Sequence, residues 1–282
     1  MNKIIKKKSL APLIKLMEVG SPLLAKKAKP GQFVILRVHE KGERIPLTIS
    51  DYNPEKGTVT LIFQEVGKTT TLLGRLEEGD CILDLVGPLG KPTDLDNLGK
   101  VVVIGGGLGA ALVFSQVKEM RKRGTKIDVI IGARNESLII LEEEVRPYCD
   151  NLYIATDDGS KGYKGFITDV LKKLIEEGNK YDRAITVGPL IMMKVVSNLT
   201  RQYGIPTIVS MNPIMIDGTG MCGGCRLTVG GEIKFACVDG PEFDGHKVDF
   251  DEVIKRTGIY REEEKVAMDI LREDLRKEGC SV

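Results

Sequence analysis

At 282 residues with 42% hydrophobic content, the chain is long enough for two domains with cores of their own and a small third one. A formal net charge of +1 gives no electrostatic reason to bind nucleic acid or an anionic membrane. The longest apolar runs, 101–104 and 138–141, are too short to span a bilayer, and no signal-peptide core follows the basic start. The expected location is therefore the cytoplasm, where thiols serve more often as ligands than as disulfides.

Residues 1–97 read as short strands separated by Gly/Pro turns. They cover 13–17 after Pro12, 33–37 after Pro30-Gly31, 59–63 after Pro54 and Gly57, and 81–86 before Gly87-Pro88. This spacing predicts an antiparallel β-barrel with a single short helix over 68–76. At Lys100 the pattern changes. Residues 101–104 are all apolar, as in a parallel strand buried on both faces, and 127–132, 152–156, 184–187 and 207–211 repeat the theme. Helical patterns at 110–123, 166–177 and 189–203 fall between the runs, which predicts a doubly wound parallel sheet over 98–211. A Gly- and Cys-rich segment occupies 212–250. The tail, 251–282, reads as charged amphipathic helix over 251–279.

Gly105-Gly106-Gly107-Leu108-Gly109-Ala110 lies between a predicted strand and a predicted helix, the context of a dinucleotide pyrophosphate loop. The next strand ends Ile131-Gly132-Ala133-Arg134, without the carboxylate a standard Rossmann domain uses for ribose. The Cys-rich segment carries Asp217, Cys222 and Cys225, then Cys237. These positions match the C-x4-C-x2-C…C ligand spacing of plant-type 2Fe–2S ferredoxins, with aspartate at the first thiolate. Glycines at 218, 220, 223 and 224 allow the backbone to close around an inorganic core. Two other readings stand beside this one: a tetrahedral zinc site of three thiolates and a carboxylate, and three buried cysteines in a Gly-rich turn. Zinc ribbons usually present two C-x2-C pairs, whereas Cys237 stands alone.

Taken together and in order, these parts resemble the ferredoxin–NADP reductase superfamily, nearest the electron-transfer subunits of dihydroorotate dehydrogenase and sulfide dehydrogenase. The resemblance also rests on Pro30-Gly31-Gln32-Phe33, Arg44 to Ser50, Gly67-Lys68-Thr69-Thr70, Thr156 to Ser160 and Gly188-Pro189. It implies FAD on the barrel. Arg44 would meet the pyrophosphate; Pro46, Leu47, Thr48 and Ser50 would serve the flavin; Gly67, Thr69 and Thr70 would hold the other phosphate side. NAD(H) would lie over Gly106, Gly107, Leu108, Gly109 and Ala110, with Arg134, Asp157, Asp158, Gly188, Pro189 and Leu190 lining the cleft. The 2Fe–2S cluster would use Asp217, Cys222, Cys225 and Cys237.

The run 239–251 and the tail from Tyr260 to Ala267 resemble the small subunit of NADH-dependent reduced ferredoxin:NADP oxidoreductase, an electron-bifurcating enzyme. This implies a larger, glutamate-synthase-like partner subunit with FAD and 4Fe–4S clusters, and ferredoxin indirectly. Subunits of dihydroorotate or sulfide dehydrogenase, a self-contained flavin reductase feeding free ferredoxin, and a metal-stapled binding module are the alternatives. No catalytic side chain is expected, because no Ser/His/Asp or Cys/His constellation is present. His39 and His246 read as solvated, Met192 and Met193 as helix core, and Cys81, Cys149 and Cys280 carry no motif.

Overall fold

The computed structural model describes residues 2–277, so Cys280 lies outside the described residues. The first seven strands are β1 (Asn2–Ala11), β2 (Ile14–Gly20), β3 (Phe33–Arg37), β4 (Ile45–Asn53), β5 (Thr58–Gln64), β6 (Cys81–Ile82) and β7 (Asp84–Leu89). They form one antiparallel sheet in the order β6-β1-β2-β5-β4-β3-β7, curled into a nearly closed barrel. Its interior is filled by Met17, Val19, Leu36, Ile49, Leu61 and Phe63 among others. Strand β1 escapes a hydrophobicity reading because it is an outer strand rich in lysine, with only Ile4 fully buried. Two helices belong to this half where one was expected. Besides α2 (Lys68–Arg75), a short α1 (Pro22–Lys27) buries Leu24 and Ala25 under the barrel.

The second sheet contains β8 (Lys100–Gly106), β9 (Lys126–Ala133), β10 (Asn151–Thr156), β11 (Tyr163–Lys164), β12 (Arg183–Val187) and β13 (Thr207–Ser210). These six are parallel, in the order β11-β10-β9-β8-β12-β13. The order reverses beside β8, so a crevice opens at its carboxyl end. The helix expected over 110–123 is broken at Val113 into α3 (Gly109–Leu112) and α4 (Phe114–Lys122). Three more helices follow: α5 (Glu142–Val145), α6 (Ile167–Glu176) and α7 (Leu190–Gln202).

The Cys-rich segment is built into this framework. Strands β14 (Arg226–Val229) and β15 (Glu232–Phe235) make a hairpin turned by Gly230 and Gly231, both at positive φ. Strand β16 (Glu242–Asp244) then joins the large sheet antiparallel to β13. The tail is two helices, α8 (Phe250–Thr257) and α9 (Arg261–Lys277), because the chain turns at 258–260. Helix α9 returns to the barrel and packs on α2. Among the described residues no helix is long and apolar enough to cross a membrane.

Candidate functional site

Barrel, parallel sheet and Cys-rich segment meet at one cleft of about 1100 Å³. Phe33, Pro46, Leu47 and Thr48 form its barrel wall, and Asn212, Met215 and Pro241 come from the segment after β13. The parallel sheet supplies Gly106 to Gly109, Arg134, Asp157, Gly188 and Pro189.

The glycine turn after β8 is dictated by close packing. A Cβ at Gly105 would lie 2.7 Å from Ala110 Cα, and one at Gly109 only 1.9 Å from the Val187 carbonyl oxygen. Gly107 has φ +56°, and a Cβ there would meet nothing within 4 Å. Two glycines therefore press the turn onto β8 and β12, and the third bends it open toward the cleft. That is a cradle without side chains, sized for a phosphate chain. Ala110 is fully buried behind the turn and does not line the cleft.

At the far end, Arg134 is exposed on the cleft rim beside Asp157. Asp158 points elsewhere: its carboxylate accepts the Ser160 N–H at 2.9 Å and hydroxyl at 2.6 Å, which holds its pKa below the ordinary aspartate value. Leu190 packs with the core around the Cys-rich segment. Met193 is core as expected, but Met192 is not purely core. It lines the cleft, and its sulfur would stand 2.3 Å from a Cβ on Gly106. His246 is likewise not free in solvent: Nε2 lies 3.1 Å from Thr200 Oγ1, and partial burial lowers its pKa. His39 is exposed.

The remaining barrel residues gather at the start of α2, outside the cleft. Thr70 Oγ1 accepts the N–H groups of Val66 and Gly67 at 3.1 and 3.0 Å. The Thr69 hydroxyl donates to Glu43 Oε2 at 3.0 Å, which ties this loop to the start of β4 and so to the neighbourhood of Arg44. Arg44 is exposed and has no ion pair among the described residues. A Cβ on Gly67 would meet nothing within 4 Å, so the loop is open to a ligand. Ser50 is fully buried, and its hydroxyl has no hydrogen-bond partner among the described residues.

The Cys-rich loop brings two of its three thiols together. Cys225 and Cys237 are buried with their sulfurs 3.3 Å apart, closer than the roughly 3.8 Å between two sulfurs on one tetrahedral metal with bonds of about 2.3 Å, so a bound metal would spread them slightly. Cys222 is exposed on the same loop. Asp217 accepts the N–H of Thr219 at 2.9 Å and of Cys222 at 2.8 Å, which keeps its pKa low. Gly218, Gly220 and Gly223 all have positive φ, and a Cβ on Gly218 would collide with Leu89 and Ile35. Among the described residues no three His, Cys, Asp or Glu side chains yet converge as a metal-ready set. The cleft residues Asn212 and Met215 lie in an irregular stretch with no periodicity or motif to mark them. Phe33 was visible only as part of an unexplained motif.

Residues 212–249 match the iron–sulfur cluster binding domain of dihydroorotate dehydrogenase B, and residues 103–198 match the oxidoreductase NAD-binding domain. A dihydroorotate dehydrogenase B (NAD(+)) electron transfer subunit homolog from Thermotoga maritima is 49% identical, over 95% of this chain and 94% of that one. The chain belongs to the dihydroorotate dehydrogenase B electron-transfer subunit family. An uncharacterized Clostridium beijerinckii protein is 55% identical over 94% of this chain and 92% of its own length. A chain from the structure of NADH-dependent reduced ferredoxin–NADP oxidoreductase is 47% identical, with a TM-score of 0.92 over 96% of this chain and 98% of that one.

This family member is thus an NAD(P)H-dependent flavin/iron–sulfur oxidoreductase subunit with the ferredoxin-reductase fold, and its cofactors are FAD, NAD(H) and a 2Fe–2S cluster. The residues present fit those groups: an apolar barrel wall of Phe33, Pro46 and Leu47, a glycine cradle open at Gly107, and a paired-thiol loop.

Proposed function

We propose that this chain is the NAD(H)-facing subunit of a flavin-based electron-bifurcating oxidoreductase. The larger partner would be glutamate-synthase-like, carrying FAD and 4Fe–4S clusters and handling ferredoxin and NADP(H). The observation that carries this reading is the near full-length match to the NADH-dependent reduced ferredoxin–NADP oxidoreductase chain. Flavin takes two electrons as hydride and releases them singly, which an iron–sulfur cluster can accept. The chain's own part is placement. Its cleft would hold a nicotinamide over Gly106 to Gly109 and Gly188 to Pro189, with the flavin on the wall from Pro46 to Thr48.

In this reading Arg44 and the open start of α2 hold the FAD pyrophosphate, a task suited to a fixed guanidinium fork and free helix N–H groups. Arg134 faces the ribose end of NAD(H). Asp157 lines the cleft here, and Lys161 lies 2.6 Å from Glu142 and 3.7 Å from Glu136, so three carboxylates stand against two cations; that balance opposes a 2′-phosphate and favours NAD(H). Substituting Gly109 by valine should raise the KM for NADH by roughly a hundredfold or more, since displacing the turn by even 1 Å spoils positioning. Steady-state reduction of ferricyanide by NADH measures this, and an unchanged KM would remove Gly109 from the nucleotide site.

Asp217, Cys222, Cys225 and Cys237 are proposed as the cluster ligands. Asp217 has lone pairs left after its two N–H bonds, since a carboxylate offers about four acceptor sites. Asp217→Cys should give a stable cluster with an altered electron paramagnetic resonance spectrum. An identical spectrum would mean that Asp217 only shapes the loop.

A second reading, the electron-transfer subunit of an NAD-dependent dihydroorotate dehydrogenase, is favoured by the description of the matched cluster domain and of the Thermotoga relative. Anaerobic co-purification from native cells decides between them. A glutamate-synthase-like chain with NADH- and ferredoxin-dependent NADP reduction supports the first. A dihydroorotate-oxidising partner supports the second and overturns the first.

A further inference from the structure

The motif Pro30-Gly31-Gln32-Phe33 holds no cofactor by itself, yet it is tied to the segment 90–93, which is tied in turn to Gly240. Gln32 Nε2 donates to the Gly90 carbonyl at 2.8 Å, and the Thr93 N–H donates to the Pro30 carbonyl at 2.9 Å. The Lys91 N–H donates to Gly240 at 2.6 Å, across to the segment that carries Pro241. At the centre lies Glu242, on β16. Its Oε1 accepts the Thr93 hydroxyl at 2.8 Å and the Gln116 amide at 2.6 Å, from the interdomain linker and α4 respectively. Gly31, at φ +82°, leaves room for this carboxylate: a Cβ there would lie 2.2 Å from Thr93 Oγ1 and 2.8 Å from Glu242 Oε1.

Phe33 and Pro241, two residues beyond Gly31 and one before Glu242, both line the cofactor cleft. We propose that Glu242 is a positioning residue for electron transfer: through Thr93 and Gln116 it locks the barrel wall bearing Phe33 against the nucleotide domain and the cluster-bearing segment. This rests on the function proposed above, because the distances that it sets are those between flavin, nicotinamide and cluster.

The seam has a place for a proton. Gln116 is almost fully buried, and its amide oxygen has no donor among the described residues. With the amide turned over, a protonated Glu242 supplies that donor. Burial pushes the Glu242 carboxyl up to about 7, against smaller opposing effects of Thr93, Gln116 and Arg183, the charged group that faces it from β12. The folded value is raised, so the protonated acid is the form the seam favours. Its contribution is complete below the unfolded value near ~4.3 and is lost as pH rises through about 7.

The test uses anaerobically purified protein with flavin and iron bound. Glu242→Ala should keep both, speed hydrogen exchange at 29–33 and 90–93, and slow flavin bleaching by saturating NADH roughly ten-fold or more. Glu242→Gln, which imitates the protonated acid, should restore both readouts and abolish the change of rate between pH 6 and 8 that the unaltered protein shows, a window set by the value of about 7. If Glu242→Ala loses its cofactors, the glutamine variant decides alone: a pH profile parallel to that of the unaltered protein overturns the proposal. So does an alanine variant with normal exchange and normal bleaching. Unaltered protein that lacks flavin and iron sinks the functional reading as well, whereas fully loaded protein with indifferent variants sinks this inference only.

Discussion

Cys225→Ser is expected to strip the iron from the protein while leaving the flavin absorbance and its bleaching by NADH in place. Cys225 is only 2% exposed, and its sulfur both sits 3.3 Å from that of Cys237 and receives the Cys237 N–H at 3.5 Å. Burial, with Cys225 as hydrogen-bonding neighbour, pushes the Cys237 thiol up to about 12, so without metal Cys237 stays protonated. Metal binding must therefore displace that proton, and its affinity depends on both sulfurs acting together. A serine oxygen is harder and reaches less far, and Cys237 cannot hold the iron alone. Changes beside a metal ligand cost roughly 10–100-fold in affinity, and loss of a ligand should cost more. Iron assay and the electron paramagnetic resonance spectrum of reduced protein measure this directly. Because the proposed flavin wall lies on β3 and β4, NADH should still bleach the flavin. A variant with full iron and an unaltered signal would remove Cys225 from the ligand set.

The chemistry-bearing loops were legible because their residue types answer to local geometry. Gly107 must take a positive φ, and Gly105 and Gly109 must let backbones touch, so the nucleotide turn leaves a mark in a single short window. The cysteines of the Cys-rich loop likewise stand out by their ferredoxin-like spacing. The parallel strands announced themselves as largely apolar runs, unbroken in the middle of β8 and interrupted by Asp128 in β9, since both faces of that sheet are covered. What stayed hidden depends on contacts between distant segments. Strand β1 is lysine-rich yet pairs along most of its length with β2, through backbone bonds that no side-chain pattern reports. Strand β16 is three residues long and exists because β13 offers an open edge. The helix over 110–123 keeps its apolar periodicity across the break at Val113, so the sequence shows one helix where the backbone makes two. Glu242 reads as a solvated acid in a polar loop. Only the fold sets it against residues 93 and 116.

Asp128→Ala is expected to destabilise the parallel-sheet domain by about 3–5 kcal/mol without affecting the KM for NADH. Asp128 interrupts an apolar strand and is fully buried. Its carboxylate meets Lys100 Nζ at 2.8 Å, the Tyr181 hydroxyl at 2.8 Å and the Asn151 amide at 2.7 Å, which joins β8, β9, β10 and the approach to β12. Lys100 is further held by Asn179 at 2.9 Å and lies over the Tyr181 ring at 4.9 Å. Burial and the neighbouring carboxylate keep the Tyr181 hydroxyl protonated well beyond the ordinary range, so it remains a donor. Alanine would leave a half-buried ammonium and two donors unpaired, and the desolvation of those groups dominates the cost. Domains of this size have about 5–15 kcal/mol in total, so the loss is a large share. The thermal midpoint should fall on the order of 10 °C. Lys100→Met in the same background should recover part of it, because the ammonium no longer needs a partner. The network lies at the amino ends of the strands and the cleft at their carboxyl ends, so surviving folded protein should bind NADH as before. A loss below about 1 kcal/mol, the worth of an exposed pair, would show that Lys100 finds solvent when Asp128 is gone.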